Sequence, residues 1–233
     1  MRFVDVTLAG PAGLPEFYRD VLGLPLDRGA LRIGETTLRF APIGGEPFHH
    51  FAFLVPGDRF DAALAWAEPR VEILRDADGE RVFHGDEWRS SAVYFHDPAG
   101  SIVELIAHHG LEEKGRSGGF AGEELAGLSE LGLVGDRQAF LRELEGIGLE
   151  LWTGTVEEPG RLAFVGERGR TFILAPHGRG WVPTGRPAEP HSGEATIDYW
   201  SAKSQARITP GSSRISVSSG ALSAYALPSS SPR

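Results

Sequence analysis

Cysteine is absent from the 233 residues. Disulfides, zinc–thiolate sites and cysteine nucleophiles are therefore excluded. Also missing is any apolar run approaching the roughly 20 residues of a membrane helix. The amino terminus enters a strand-like segment directly, with neither a basic flank nor a cleavable apolar stretch. These features predict a cytoplasmic protein with no membrane attachment. Basic charge is scarce, with 23 Lys+Arg against 32 Asp+Glu and a net charge of −9. A nucleic-acid partner, which calls for a basic stripe, is not expected. The sequence holds no P-loop, dinucleotide fingerprint or nucleophile elbow, so no organic cofactor is implied.

Acidic residues are themselves missing from residues 201–233, which carry 11 serines against 6 in residues 1–200. Such a segment buries too little apolar surface to order itself. The expectation is a disordered Ser-rich tail, acting either as a mobile interaction segment or as a non-functional extension, for example from a shifted reading frame.

What the body does contain is repetition. Three segments overlay. Each opens with a short alternating strand, at residues 4–8, 49–53 and 129–133. A helical pattern follows each, near Leu14 to Leu22, Asp58 to Ala67 and Asp136 to Leu144, with apolar residues three and four apart. Asp58 and Asp136 are the expected N-caps, and Gly23 and Gly146 the expected stops. Strands are predicted next at residues 24–26, 71–74 and 149–152. The endings Leu38-Arg39-Phe40-Ala41-Pro42, Val103-Glu104-Leu105-Ile106-Ala107 and Phe172-Ile173-Leu174-Ala175-Pro176 close the units. The unit is βαβββ, about 50 residues long, and alone is too small to bury its own sheet.

His50 and Glu104 stand out against this apolar background. His50 opens the strand-like run to Val55, and Glu104 sits inside a strongly apolar strand after the turn Asp97-Pro98-Ala99-Gly100. A carboxylate there must face water or a polar cavity, because an unpaired buried charge is costly. A histidine and a carboxylate from two such strands form two thirds of a facial metal site.

Leu14 to Leu24 and Ala92 to Glu104 resemble the first helix and last hairpin of the vicinal oxygen chelate superfamily, which includes glyoxalases, bleomycin-resistance proteins and extradiol dioxygenases. The resemblance implies an α+β fold in which paired βαβββ units curl into an eight-stranded cup. On this reading residues 1–110 form one complete cup from units one and two, 111–124 a linker, and 125–200 a third, divergent unit. The third unit then pairs with its copy in a homodimer or caps the first cup.

The resemblance also implies that ligands come from the first and last strands of each unit. Those positions hold Asp5 and Arg39, His50 and Glu104, and Glu130 and Ile173. Asp5 replaces the superfamily's usual histidine, and Ile173 removes a ligand from unit three, leaving Glu130 as a surface or interface carboxylate. The expected metal set is Asp5, His50 and Glu104, suited to Mn²⁺, Fe²⁺, Mg²⁺ or Ni²⁺. The competing arrangement is a metal-free cup in which Arg39 pairs with Glu104 or Asp5. The resemblance makes Tyr94 a substrate donor, the alternative being a core aromatic with its hydroxyl satisfied; Trp88 is a lid residue over the cup or local packing, Arg39 a further substrate contact, and Glu104 catalytic. The function these residues imply is a metal-dependent lyase, thiol transferase or dioxygenase acting on a small oxygen-rich molecule. The rival is a metal-free protein that sequesters a small molecule.

Overall fold

The computed structural model describes residues 1–42, 45–201, 209–218 and 221–227. Unit one comprises β1 (Arg2–Gly10), α1 (Leu14–Asp20), β2 (Leu26–Asp27), β3 (Ala30–Ile33) and β4 (Thr36–Pro42). Unit two comprises β5 (His50–Val55), α2 (Phe60–Ala67), β6 (Phe83–Gly85), β7 (Ser90–His96) and β8 (Ile102–His108). Unit three comprises β9 (Gly127–Val134), α3 (Arg137–Gly146), β10 (Leu151–Gly154), β11 (Ala163–Glu167) and β12 (Arg170–Ala175). A hairpin, β13 (Gly180–Trp181) and β14 (Arg186–Pro187), leads to β15 (Gly193–Ser201), β16 (Thr209–Ser218) and β17 (Ala221–Ala226).

The repeat is real at the level of topology. The three units share one strand order, β1-β4-β3-β2, β5-β8-β7-β6 and β9-β12-β11-β10. In each, first and last strands run parallel and the others antiparallel. Residues 71–74 depart from the expected pattern. They form no strand; the Leu74 amide bonds the Tyr94 carbonyl at 2.8 Å, and the edge position goes to β6. Asp136 caps α3 by accepting from the Ala139 amide. Asp58 does not cap α2, whose N-cap is Arg59. Its carboxylate instead accepts from the Lys114 and Gly115 amides and anchors the linker.

Unit pairing is where the structure corrects the sequence. Units one and two do not share a sheet. β5 pairs antiparallel with β9, so units two and three form the curled eight-stranded sheet, β10-β11-β12-β9-β5-β8-β7-β6. Unit one pairs through β1 with β15, in a seven-stranded sheet ordered β17-β16-β15-β1-β4-β3-β2. Unit three therefore finds its partner within the chain.

The tail is corrected too. The described parts of residues 201–233 are strands, because β15, β16 and β17 form an antiparallel meander on the edge of β1. Residues 202–208, 219–220 and 228–233 lie outside the described residues. The meander differs from a βαβββ unit. β16 runs antiparallel to β15, whereas β12, in the corresponding place, runs parallel to β9.

Core packing sets the two faces of each strand. Phe51, Phe53, Val103, Leu105, Phe172 and Leu174 point from the eight-stranded sheet toward Phe3, Val6, Leu8 and Leu38 of the other. Phe3 and Phe172 meet edge-to-face at 5.0 Å. Tyr18 of α1 is fully buried against Phe51 and Phe53, and its hydroxyl donates to Asp97 at 2.8 Å. Strands period by two, so Ala52, Glu104, Ile106, Glu130 and Ile173 must face the opposite, concave side. Every residue of β5 and β8 is buried, as expected of strands covered on both faces. Among the described residues no helix is long and apolar enough to cross a membrane.

Candidate metal centre

One row across the sheet explains how the site forms. Tyr94 pairs with Glu104, Glu104 with Ala52, Ala52 with Glu130, and Glu130 with Thr171. The two glutamates thus flank an alanine, whose methyl group leaves the space above it open. His50 lies two residues before Ala52 and shares its face. Gly132 makes room for this crossing. A Cβ there would meet the His50 carbonyl oxygen at 3.0 Å and the Trp181 ring at 3.1 Å, and that ring lies 4.7 Å from the imidazole of His50.

His50, Glu104 and Glu130 bring one ligand atom each to within 4.8 Å of one another, and all three are buried. His50 Nδ1 bonds the Ile102 carbonyl at 3.0 Å. A carbonyl only accepts, so Nδ1 carries the proton and Nε2 presents a lone pair. Nε2 lies 3.6 Å from Glu104 Oε2. The Tyr94 hydroxyl donates to Glu104. Thr171 Oγ1, at the end of the row, is buried without a hydrogen-bond partner among the described residues.

The electrostatics follow from burial. Desolvation and then the charge of Glu130 push the Glu104 carboxyl well above its usual range, against the opposing bond from Tyr94. Burial alone raises Glu130 to about 8. Burial lowers His50 to about 4, the Ile102 carbonyl opposing and the Arg179 charge adding to the effect. Burial, then Glu104 and Glu130, raise Tyr94. Two carboxylates and an uncharged imidazole, crowded together without a lysine or arginine among the described cavity-lining residues, are the donor set of a hard or borderline divalent cation. The residues present fit such an ion.

Above the cluster opens a cavity of about 220 Å³, lined by Phe83, Trp88, Tyr94, Ile106, Phe164 and Ile173 among others. Trp88 reaches it from the loop between β6 and β7 and packs edge-to-face on Trp152 at 4.3 Å and Phe164 at 4.6 Å. It thereby joins the two rims of the curled sheet.

This chain matches no protein-family model and no curated protein. Solved structures do resemble it. The putative dioxygenase of Bacillus subtilis subsp. subtilis str. 168 aligns at a TM-score of 0.55 and 17% identity, covering 97% of this chain and 84% of that one. Glyoxalase I from Zea mays aligns at a TM-score of 0.52 and 14% identity, covering 97% of this chain and 92% of that one. The chain has the vicinal oxygen chelate fold. The alignments take in both sheets of this chain.

Within this fold the expected residues separate into two groups. His50, Glu104, Tyr94 and Trp88 come together at the cup of the eight-stranded sheet. Asp5 and Arg39 do not join them. They pair with each other on the other sheet, half-exposed at 42% and 43%, on the face turned away from the shared core. Neither lines the cavity. Arg39 therefore does not stand in for a metal beside Glu104. The missed member is Glu130. Its position, first strand of unit three and equivalent to His50, was legible, but its role depends on β9 pairing with β5.

Proposed function

We propose that the protein is a divalent-metal-dependent enzyme of the glyoxalase and dioxygenase kind, acting on a small oxygen-rich molecule. His50, Glu104 and Glu130 are the proposed ligands. The observation that carries this reading is the buried His–Glu–Glu cluster, within 4.8 Å, at the floor of a cavity. Three protein donors leave coordination positions open, as catalytic sites require. A divalent ion there would supply a Lewis acid for two adjacent substrate oxygens.

This chain's own residues supply the rest. Glu104 is the proposed proton-moving group, since its carboxylate lies in the floor of the cavity, where a bound substrate would meet it. The Tyr94 hydroxyl holds Glu104 in place by donating its one proton to the carboxylate. Trp88 and Phe164 exclude water from one wall. The two reports of glyoxalase and dioxygenase among structures sharing the fold agree with this class, though one fold hosts many chemistries.

Elemental analysis and metal titration test the reading. Mn²⁺, Fe²⁺ or Ni²⁺ should bind near one ion per chain. Glu104→Gln, Glu130→Gln and His50→Ala should each abolish that binding. Folded wild-type protein that takes up no divalent ion would instead support the metal-free sequestering reading.

A further inference from the structure

A second cleft lies on the α2 side of the eight-stranded sheet. Along β7, Ser90, Ala92 and Tyr94 line the cup, so Ser91 points the opposite way. There it lines a cleft of about 480 Å³ with Phe60, Leu64, Val82, His84 and His109. Buried at 3% exposure, Ser91 meets this cleft rather than open solvent. His84, on the edge strand, borders the cup as well. His84 Nδ1 lies 3.0 Å from Ser91 Oγ, Ser91 Oγ 3.1 Å from His109 Nε2, and His109 Nδ1 3.1 Å from the Gly57 carbonyl oxygen. That carbonyl only accepts, so His109 Nδ1 carries the proton and, in the neutral ring, Nε2 accepts from the Ser91 hydroxyl. The hydroxyl has then spent its one proton, so His84 Nδ1 donates to it. The backbone fixes the line at both ends. His84 and Ser91 are opposed in the β6–β7 ladder. The His109 amide donates to the Arg89 carbonyl at 2.8 Å, and the His109 carbonyl accepts from Arg168 at 3.2 Å. Gly57 reaches His109 only because it lacks a side chain, since a Cβ there would meet the Leu111 carbonyl oxygen at 2.7 Å.

A hydroxyl that donates to an imidazole, itself oriented by a third group, is the arrangement of an activated nucleophile. We propose that Ser91 is the nucleophile, and His109 the base, of a second site that cleaves esters of short apolar acids. Ser91 Oγ bonds to the acyl carbon while its proton passes to His109 Nε2. The bond from the acyl carbon to the alcohol oxygen then breaks, and the alcohol leaves with that proton. Water attacks the acyl-serine and gives one proton to His109. The acid departs as that proton returns to Ser91 Oγ. Phe60, Leu64 and Val82 give the acyl chain an apolar wall. Asp58 and Asp61, also in the lining, disfavour a substrate of negative charge. None of the proposed metal ligands takes part.

Covalent labelling of the full chain, in chelator, tests this. An alkyl fluorophosphonate should attach to Ser91 of the wild type, as peptide mass spectrometry reads directly, and the wild type should hydrolyse para-nitrophenyl butyrate. Ser91→Ala should abolish both. His109→Gln can still donate to the Gly57 carbonyl but cannot take the proton. It should slow labelling by at least about a hundredfold, the scale of a lost general base. Urea unfolding reports that both variants fold, and the adduct is mapped on the wild type, so the test does not rest on either of them. No adduct at Ser91, no hydrolysis by the wild type, or labelling at an undiminished rate in His109→Gln would each overturn the proposal. The chelator removes any metal-bound hydroxide from the assay. Mn²⁺ uptake is measured apart, so either reading can fail and leave the other standing.

Discussion

Glu130→Gln in the metal-free protein should stabilise the fold. In the metal-free cup Glu130 is 4% exposed and shares its pocket with Glu104. Its carboxyl titrates near 8 in the folded protein, against 4.5 ordinarily. The folded state therefore holds the proton longer than the unfolded one. Stability is full below about 4.5 and falls as pH rises through about 8. Each pKa unit corresponds to about 1.4 kcal/mol, so at pH ~7 the loss is about 3 kcal/mol. Glutamine keeps the shape of the protonated carboxyl and does not titrate. Near neutral pH the variant should gain up to about 3 kcal/mol, or roughly 6–12 °C in Tm for a chain of this size. Below about pH 4 the two proteins should coincide, the Glu130 carboxyl of the wild type then being protonated in both the folded and the unfolded state. Urea unfolding in chelator, repeated across that pH range, measures both ends. Added Mn²⁺ should then reverse the order, because only the wild type gains from binding. A variant less stable than wild type at every pH in chelator would refute the reasoning, since it would mean that Glu130 has a stabilising partner.

Other residues give further tests. Asp5→Ala should leave Mn²⁺ binding unchanged in a titration, because Asp5 lies on the other sheet; a loss would return it to the site. Arg39→Ala should cost less than about 1 kcal/mol in urea unfolding, the usual worth of a half-exposed ion pair; a cost of several kcal/mol would mean the pair is buried in solution. Phe172→Ala should cost about 3–5 kcal/mol by the same measurement, since its buried ring joins the two sheets through Phe3. His108, buried and lowered to about 4 chiefly by desolvation, favours the fold above its unfolded value near 6.5, and that contribution is lost as pH falls toward 4. Denaturation of His108→Leu should show a flatter pH dependence in that window, and an unchanged slope would show that His108 does not titrate there.

The sequence by itself determined the unit. Apolar spacing placed all three helices within a few residues, because a helix face must match its core regardless of what that core is made of. The paired ending motifs marked β4, β8 and β12, and alternation along β8 put Glu104 on the face opposite Val103 and Leu105. His50 and Glu104 were readable as a pair because both lie in one unit, joined by the local β5–β8 ladder. Only the tertiary structure decided which units share a sheet. Each unit offers the same open edge on its first strand, and nothing in the residues of β1, β5 or β9 states which edge meets which. The choice of β5 with β9 brought Glu130 to the cup and sent Asp5 and Arg39 to the other sheet. The serine-rich end illustrates the same limit. Its composition argued for disorder, but the free edge of β1 offers backbone bonding that any chain can accept, and β15 to β17 pair there through the main chain, about which composition is silent.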